Sequence, residues 1–269
     1  MSDVQARAPA GRLRQIVRSV RLVLHIISGL IQSAVYPHVS QSAQRRMSQN
    51  WSARLLSILH VKLHCSGSPP TAEMQRVMLA ANHVSWLDVY SINAICPARF
   101  VAKAEIRGWP FFGWLSHNVG TLFIERTKRS DTARINEHIA QALTIGDRVA
   151  VFPEGGTGDG TALHHFHASL LQAAVTVEAM LYPVAIRYTD AAGEISRVAP
   201  YVGISLLESL RRVLRERRID VELIFGAPID SAGKNRRELA RSVEHAIASV
   251  LSLPLPHKRL GKSVDPQGE

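Results

Sequence analysis

The stretch Val77-Met78-Leu79-Ala80-Ala81-Asn82-His83-Val84-Ser85-Trp86-Leu87-Asp88 opens as an unbroken apolar run and closes on side chains able to do chemistry. Five consecutive apolar residues without polar alternation predict a strand buried on both faces, over 77–81. Similar short runs predict strands over 99–104, 121–125, 148–152, 181–187 and 220–225. Helical patterns lie between most of them, at 86–94, about 131–144, 168–180 and 204–217, and a further one follows the last strand at 235–251. Strands alternating with helices predict an α/β domain, a central sheet flanked by helices. Working outward, Val61, Leu63 and Cys65 alternate with Lys62, His64 and Ser66, a strand that ends at Gly67-Ser68-Pro69-Pro70. A helix over 42–59 precedes it. The expected organisation is an N-terminal helical, membrane-associating segment (1–60), one domain (61–253) and a flexible tail (254–269).

The composition fits that reading. The chain has 269 residues, 46% of them apolar and 20% charged, which excludes a disordered, collagenous or coiled-coil protein. Cys65 and Cys96 are the only cysteines, so there is neither a disulfide framework nor a cysteine-based zinc site. Lysine and arginine total 32 against 22 acids, a net charge of +10. That balance points to a polyanionic partner: nucleic acid, an anionic membrane surface or a phosphorylated substrate.

The placement of the charge narrows the choice. Between Leu22 and Gln44 there is no Asp, Glu, Lys or Arg. At about 100° per residue, Arg14, Arg18, Arg21, His25, Ser28 and Gln32 form one stripe, with Leu13, Ile16, Val20, Val23, Ile27, Leu30, Ile31 and Ala34 opposite. This is a basic amphipathic helix, the pattern of a segment lying in the headgroup plane. The alternatives are a surface helix whose apolar side packs on the domain, and a true span, for which the arginines before Leu22 would keep the N-terminus cytoplasmic. Nucleic acid is disfavoured, because no aromatics for base stacking are interleaved with the arginines and no nucleic-acid module is recognisable.

Three motifs carry chemistry. On a continuous helix His83 and Asp88 would point about 140° apart. If the strand ends at His83 and a helix starts after Ser85, the turn returns the carboxylate to the imidazole, and such a pair lets histidine take a proton from a hydroxyl. Ser85-x-x-Asp88 is equally a helix capping box, in which Asp88 satisfies an amide. Next, Gly120-Thr121-Leu122-Phe123-Ile124-Glu125-Arg126 delivers an arginine at a strand end, where it can bind phosphate through two parallel hydrogen bonds or be an ordinary surface residue. Last, Phe152-Pro153-Glu154-Gly155-Gly156-Thr157-Gly158-Asp159-Gly160 runs from a strand into a glycine-rich loop whose backbone can approach a ligand closely, without the Gly-Lys-Ser/Thr of a Walker loop.

Together these blocks resemble the glycerolipid acyltransferase family, the lysophosphatidic acid acyltransferase type in particular. Asn82-His83-x-x-x-x-Asp88 resembles its first block, Gly120–Arg126 its second, Phe152-Pro153-Glu154-Gly155 its third and Tyr182-Pro183-Val184-Ala185 its fourth. Phe100-Val101-Ala102-Lys103-Ala104-Glu105, followed by Trp109-Pro110-Phe111-Phe112-Gly113, resembles the connecting segment. The resemblance implies a glycerolipid-acyltransferase-type domain that moves a fatty acyl group from a thioester to a lysophospholipid hydroxyl, with no covalent enzyme intermediate. His83 becomes the general base and Asp88 its orienting partner. Arg126, Glu154 and Gly155 would hold the acceptor, Lys103 would add positive charge near phosphates, and Pro183 and Val184 would pack near the acyl chain. No cofactor or metal is implied; acyl-CoA or acyl carrier protein is the co-substrate. The setting implied is the cytoplasmic face of the cell membrane, monotopic or with a single N-terminal span.

One departure bears on the acceptor. Where the family usually continues with Thr, a basic residue and Ser, this chain has Gly156-Thr157-Gly158-Asp159, with no cation and an added acid. Such a loop is poorer at neutralising a phosphate monoester. The four blocks make 1-acyl-sn-glycerol-3-phosphate the expected acceptor, giving phosphatidic acid in phospholipid biosynthesis; the loop makes another lyso-lipid the alternative, such as lyso-ornithine lipid, whose headgroup carries an amine. A reading of another class is a catalytically silent lipid-binding protein, which would not need the Asn82-His83/Asp88 constellation. His164-His165-Phe166-His167 lacks the second ligand cluster a metal site needs, and His167 can instead meet the acceptor or be an exposed turn. Arg211, Arg212, Arg215, Arg217 and Arg218 form either a solvated face or a site for anionic lipid or coenzyme A phosphates.

Overall fold

The computed structural model describes residues 11–108, 112–124 and 129–256. Two helices come first, α1 (Arg12–Val35) and α2 (Gln41–Leu59), then β1 (Val61–Gly67) and β2 (Val77–Ala81). They are followed by α3 (Leu87–Ile95), β3 (Arg99–Lys103), α4 (Phe112–Asn118), β4 (Leu122–Ile124), α5 (Arg129–Thr144) and β5 (Val149–Val151). The last part holds α6 (Gln172–Thr176), β6 (Met180–Thr189), α7 (Leu206–Arg215), β7 (Ile219–Phe225), β8 (Ile229–Asp230) and α8 (Arg236–Leu251).

The strands form one sheet in the order β1-β7-β6-β2-β5-β3-β4, with β8 paired to β6. The block β6-β2-β5-β3-β4 is parallel, and β7 joins it antiparallel. β2 sits at the centre with every residue buried. Its alternate side chains divide between two cores, as the period of a strand requires. Val77, Leu79 and Ala81 join Leu55, Leu59, Leu87, Ile92 and Val213 from α2, α3 and α7. Met78 and Ala80 join Ile139, Leu143, Leu239, Val243 and Ile247 from α5 and α8. A strand buried on both faces between helix layers is why 77–81 carries no polar residue.

The expected helix over 168–180 is not continuous. A 3-10 turn (Ala168–Leu171) leads into the five-residue α6, Glu178 adopts a left-handed φ of 51°, and Met180 already belongs to β6. Val175, Thr176 and Val177 are β-branched in succession, which costs side-chain freedom in a helix and favours early termination.

The N-terminal helix docks with its polar face inward. Arg18, Leu22, His25, Gly29 and Ser33 are buried, while Leu13, Ile16, Leu24 and Ile31 are 60–75% exposed. The Arg18 guanidinium donates to the carbonyls of Leu214 (3.2 Å), Glu216 (2.5 Å) and Arg217 (3.3 Å), closing the C-terminal end of α7. A cation there is favoured by the unsatisfied carbonyls and the helix dipole. The His25 ring stacks on Trp51 of α2 at 4.5 Å and meets the Trp51 carbonyl at 3.0 Å. At Gly29 a Cβ would lie 2.7 Å from the Trp51 indole nitrogen, so only glycine allows this approach. The alternative of an apolar side packed on the domain is thereby excluded. Arg18 is also removed from the basic stripe expected to face headgroups; Arg14 and Arg21 remain exposed.

Candidate active site

The parallel strands all end on one edge of the sheet, where α/β folds gather ligands. The segment after β2 brings His83 there, and the segment after β5 brings Glu154 and Gly155. Lys103 lies exposed at the end of β3, in register with Ile124, the last residue of β4. Arg126 falls two positions beyond β4, outside the described residues.

The loop 82–88 is built around a buried carboxylate. Asp88 has no exposed surface and lies in the first turn of α3. Its Oδ2 accepts from His83 Nδ1 (2.8 Å), Val84 N–H (2.8 Å) and Ser85 N–H (3.0 Å), and its Oδ1 accepts from the Tyr188 hydroxyl (2.7 Å). The two readings of Asp88 from the sequence are therefore one arrangement: a single oxygen serves the backbone at the start of the helix and the imidazole as well. Ser85 adds its own cap, its hydroxyl accepting from Leu87 N–H (3.3 Å).

Because the carboxylate holds Nδ1–H, the other ring nitrogen of His83 carries the lone pair. The His83 side chain is 20% exposed, against none for Asp88. Phe152 stacks on the imidazole at 3.8 Å with planes 10° apart, fixing the ring's orientation, and Phe100 lies 5.9 Å behind Phe152. The result is a fixed tautomer with one nitrogen open to a reacting group, the geometry of a general base.

Glu154 enters as a brace. It is buried, its Oε1 accepts from His83 N–H (2.7 Å) and its Oε2 from His164 N–H (2.9 Å), with His164 Nδ1 at 3.6 Å. Burial pushes its carboxyl above the ordinary value, and the two amides and neighbouring imidazoles pull it part of the way back. The strand-end glutamate thus ties the 82–88 loop to the segment that carries His164. Gly155 turns at a φ of 80°, its N–H donating to the Phe152 carbonyl (3.1 Å). Gly158 N–H donates to the His83 carbonyl (2.7 Å), so His83 is held at both backbone groups.

Other contacts escaped the motif reading. Asn82 donates to the Ile186 carbonyl (3.0 Å) and accepts from Ile186 N–H (2.7 Å), continuing the β2–β6 ladder with a side chain. Tyr201 N–H donates to the Val84 carbonyl (2.9 Å), and Thr157 Oγ1 donates to the Tyr201 carbonyl, so a segment far along the chain clasps both loops. The signal for Asn82 was a polar residue directly after an all-apolar central strand. Nothing local marked Tyr201. His164 and His165 turn to different carboxylates, Glu154 and Glu244, each at 3.6 Å, and His167 is exposed. The exposed Asp159 is held by Thr161, whose N–H (2.8 Å) and hydroxyl (2.7 Å) both donate to Oδ1 and lower its carboxyl below the usual range.

The acyltransferase family pattern matches residues 62–187, the span from β1 into β6 that holds every block named above. A lyso-ornithine lipid O-acyltransferase of Pseudomonas aeruginosa is 37% identical over 248 residues, covering 89% of this chain and 94% of that protein. A 1-acyl-sn-glycerol-3-phosphate acyltransferase of Neisseria gonorrhoeae is 35% identical over 187 residues, 69% of this chain and 73% of its own length. The fold is that of the crystal structure of the 1-acyl-sn-glycerophosphate acyltransferase of Thermotoga maritima, with a TM-score of 0.61 over 92% of this chain and 100% of that one, at 19% identity. With a buried Asp88 holding His83 at the sheet edge and a relative matched along nearly its whole length, the chain belongs to the acyltransferase family.

Proposed function

We propose that the protein transfers a fatty acyl group from an acyl thioester, of coenzyme A or acyl carrier protein, to the hydroxyl of a lyso-lipid. The observation that carries this is the His83 imidazole, fixed by Asp88 through Nδ1 with its second nitrogen open. That nitrogen removes the acceptor proton as the hydroxyl oxygen attacks the thioester carbonyl. Asp88 stabilises the imidazolium so formed. Collapse of the tetrahedral intermediate expels the thiolate, which takes the proton from His83 and leaves as thiol, so the base returns to its starting state.

For the acceptor we infer a lyso-ornithine-type lipid. The Pseudomonas aeruginosa relative covers nearly the full chain, and the Gly156–Asp159 loop offers no cation for a phosphate monoester while presenting an exposed carboxylate. Lysophosphatidic acid is the second reading, favoured by Arg126 at the end of the second block and by the Neisseria relative. Purified protein offered both acceptors with each donor should prefer the amine-bearing lipid. Asp159→Asn keeps the bonds from Thr161, because an amide oxygen accepts as the carboxylate does, but it removes the charge. It should therefore raise KM for that lipid by about twofold to fivefold with little change in stability. A preference for lysophosphatidic acid that Asp159→Asn leaves alone or improves would eliminate the amine reading.

We further propose that α1 seats the enzyme on the cytoplasmic face of a membrane without crossing it. The helix is long and apolar enough to span, by length and composition. Its polar face, however, is committed to α2 and α7 through His25, Gly29 and Arg18, and a transmembrane orientation would have to break those contacts. The outward stripe then faces lipid, with Arg14 and Arg21 beside anionic headgroups. Val20→Gln and Ile27→Gln lie outside the core and should leave thermal stability unchanged. Each should weaken binding to anionic vesicles roughly fivefold to thirtyfold, from the loss of a lipid-buried aliphatic side chain. Undiminished sedimentation of the double variant with vesicles would contradict this.

A further inference from the structure

Tyr188 lies three residues past the last motif block, on a strand whose neighbours are packing residues. Tyr182, Val184, Ile186 and Tyr188 alternate onto the same face of β6, and all four enter the core beneath the 82–88 loop. The Tyr188 hydroxyl reaches Asp88 Oδ1 at 2.7 Å, with 3% of Tyr188 and none of Asp88 exposed. Two positions earlier, Ile186 pairs with Asn82 through both backbone groups. One strand therefore pins the front of the catalytic loop through Asn82 and its rear through Asp88.

We infer that Tyr188 is a positioning residue of the His83–Asp88 pair, its phenol setting the plane and the basicity of the carboxylate that orients the catalytic imidazole. The inference rests on His83 acting as general base. Asp88 Oδ2 already accepts three donors, whereas Tyr188 is the donor found on Oδ1. Rotation of the carboxylate about its Cβ–Cγ bond would carry Oδ2 away from Nδ1, and the phenol opposes that rotation. A hydrogen bond donated to the ionised carboxylate also draws charge from it. Burial and the adjacent carboxylate push the Tyr188 hydroxyl well above the ordinary phenol range, so it stays protonated and donating. Among the described residues, the other ionisable groups facing His83 are Glu154, bound to its amide, and His164 beyond Glu154.

Without the phenol, Asp88 holds more charge towards Nδ1, the imidazolium is favoured, and the apparent pKa of the free enzyme's base rises. Tyr188→Phe removes one oxygen at constant shape. It should lower kcat by about fivefold to twentyfold with KM changed less than twofold, and should move the acidic limb of kcat/KM upward by about half a unit to one unit. Site-specific replacement of Tyr188 by 3-fluorotyrosine strengthens the donor without removing it and should move the limb the other way. Tyr182→Phe, which loses a hydroxyl directed at the Met74 sulfur (3.1 Å), is the control and should leave the limb in place. A purely structural tyrosine would change thermal stability without these opposed shifts. If both Tyr188 variants keep the wild-type limb, the positioning role is overturned. If His83→Ala retains turnover, the general-base reading itself fails, whatever Tyr188 does.

Discussion

His83→Ala should lower kcat by roughly 10²–10⁴-fold while the protein stays folded. Two of the contacts that hold this position are made by its backbone and survive the substitution. His83 N–H remains on Glu154 Oε1, and the His83 carbonyl still accepts from Gly158 N–H. What disappears is the imidazole: its stack on Phe152, its hydrogen bond to Asp88 and its free nitrogen. The acceptor hydroxyl then has no positioned base and must lose its proton to water. Binding of either substrate should change little, because the ring meets only the reacting oxygen, so KM should hold while kcat falls. Steady-state kinetics with a thermal melt on the same preparation check this. Turnover within tenfold of wild type in a folded variant would remove His83 from the mechanism.

How much of this was legible in the sequence varies with the physical origin of each feature. β2 is legible to the residue, because burial on both faces leaves an unbroken apolar run that stops at the polar Asn82. The start of α8 was equally plain: Asn235 accepts from Arg237 and Glu238 N–H while Glu238 returns a bond to Asn235 N–H, a cap written wholly in local sequence. For α1 the two faces were legible but not which of them docks. That depends on Arg18 meeting open carbonyls at the end of α7, nearly two hundred residues away. Glu154 shows a similar limit. A glutamate in a strand-end motif reads as a ligand contact; that its two oxygens accept from amides of segments only the fold brings together is written nowhere in the local sequence. Tyr188 belongs to the same class, since a tyrosine at an inward strand position signals that its hydroxyl needs a partner without naming it.

Asp88→Asn should separate what the sequence left joined, the helix cap and the catalytic partner. Asparagine is isosteric, and its carbonyl oxygen can take the place of Oδ2, accepting from Val84 N–H, Ser85 N–H and His83 Nδ1. Its amide nitrogen would then face the Tyr188 hydroxyl, which can rotate and accept. The local frame therefore persists, at a cost of about 1–2 kcal/mol for weaker, neutral bonds. The charge does not persist. An imidazolium forming at His83 loses its compensating carboxylate in a site with no exposed surface on that side, where screening by water is weak. Turnover should fall about 10²–10⁴-fold, comparable to loss of the base itself, because base and orienter act as a unit. Asp88→Ala completes the comparison. It strands the Tyr188 hydroxyl and two backbone N–H groups in the interior and should destabilise the protein by about 3–5 kcal/mol as well as silence it. If Asp88→Asn lowers the thermal midpoint while kcat stays within threefold of wild type, the Asp88 charge plays no part in turnover, and the side chain serves only as a cap and a hydrogen-bond acceptor for His83.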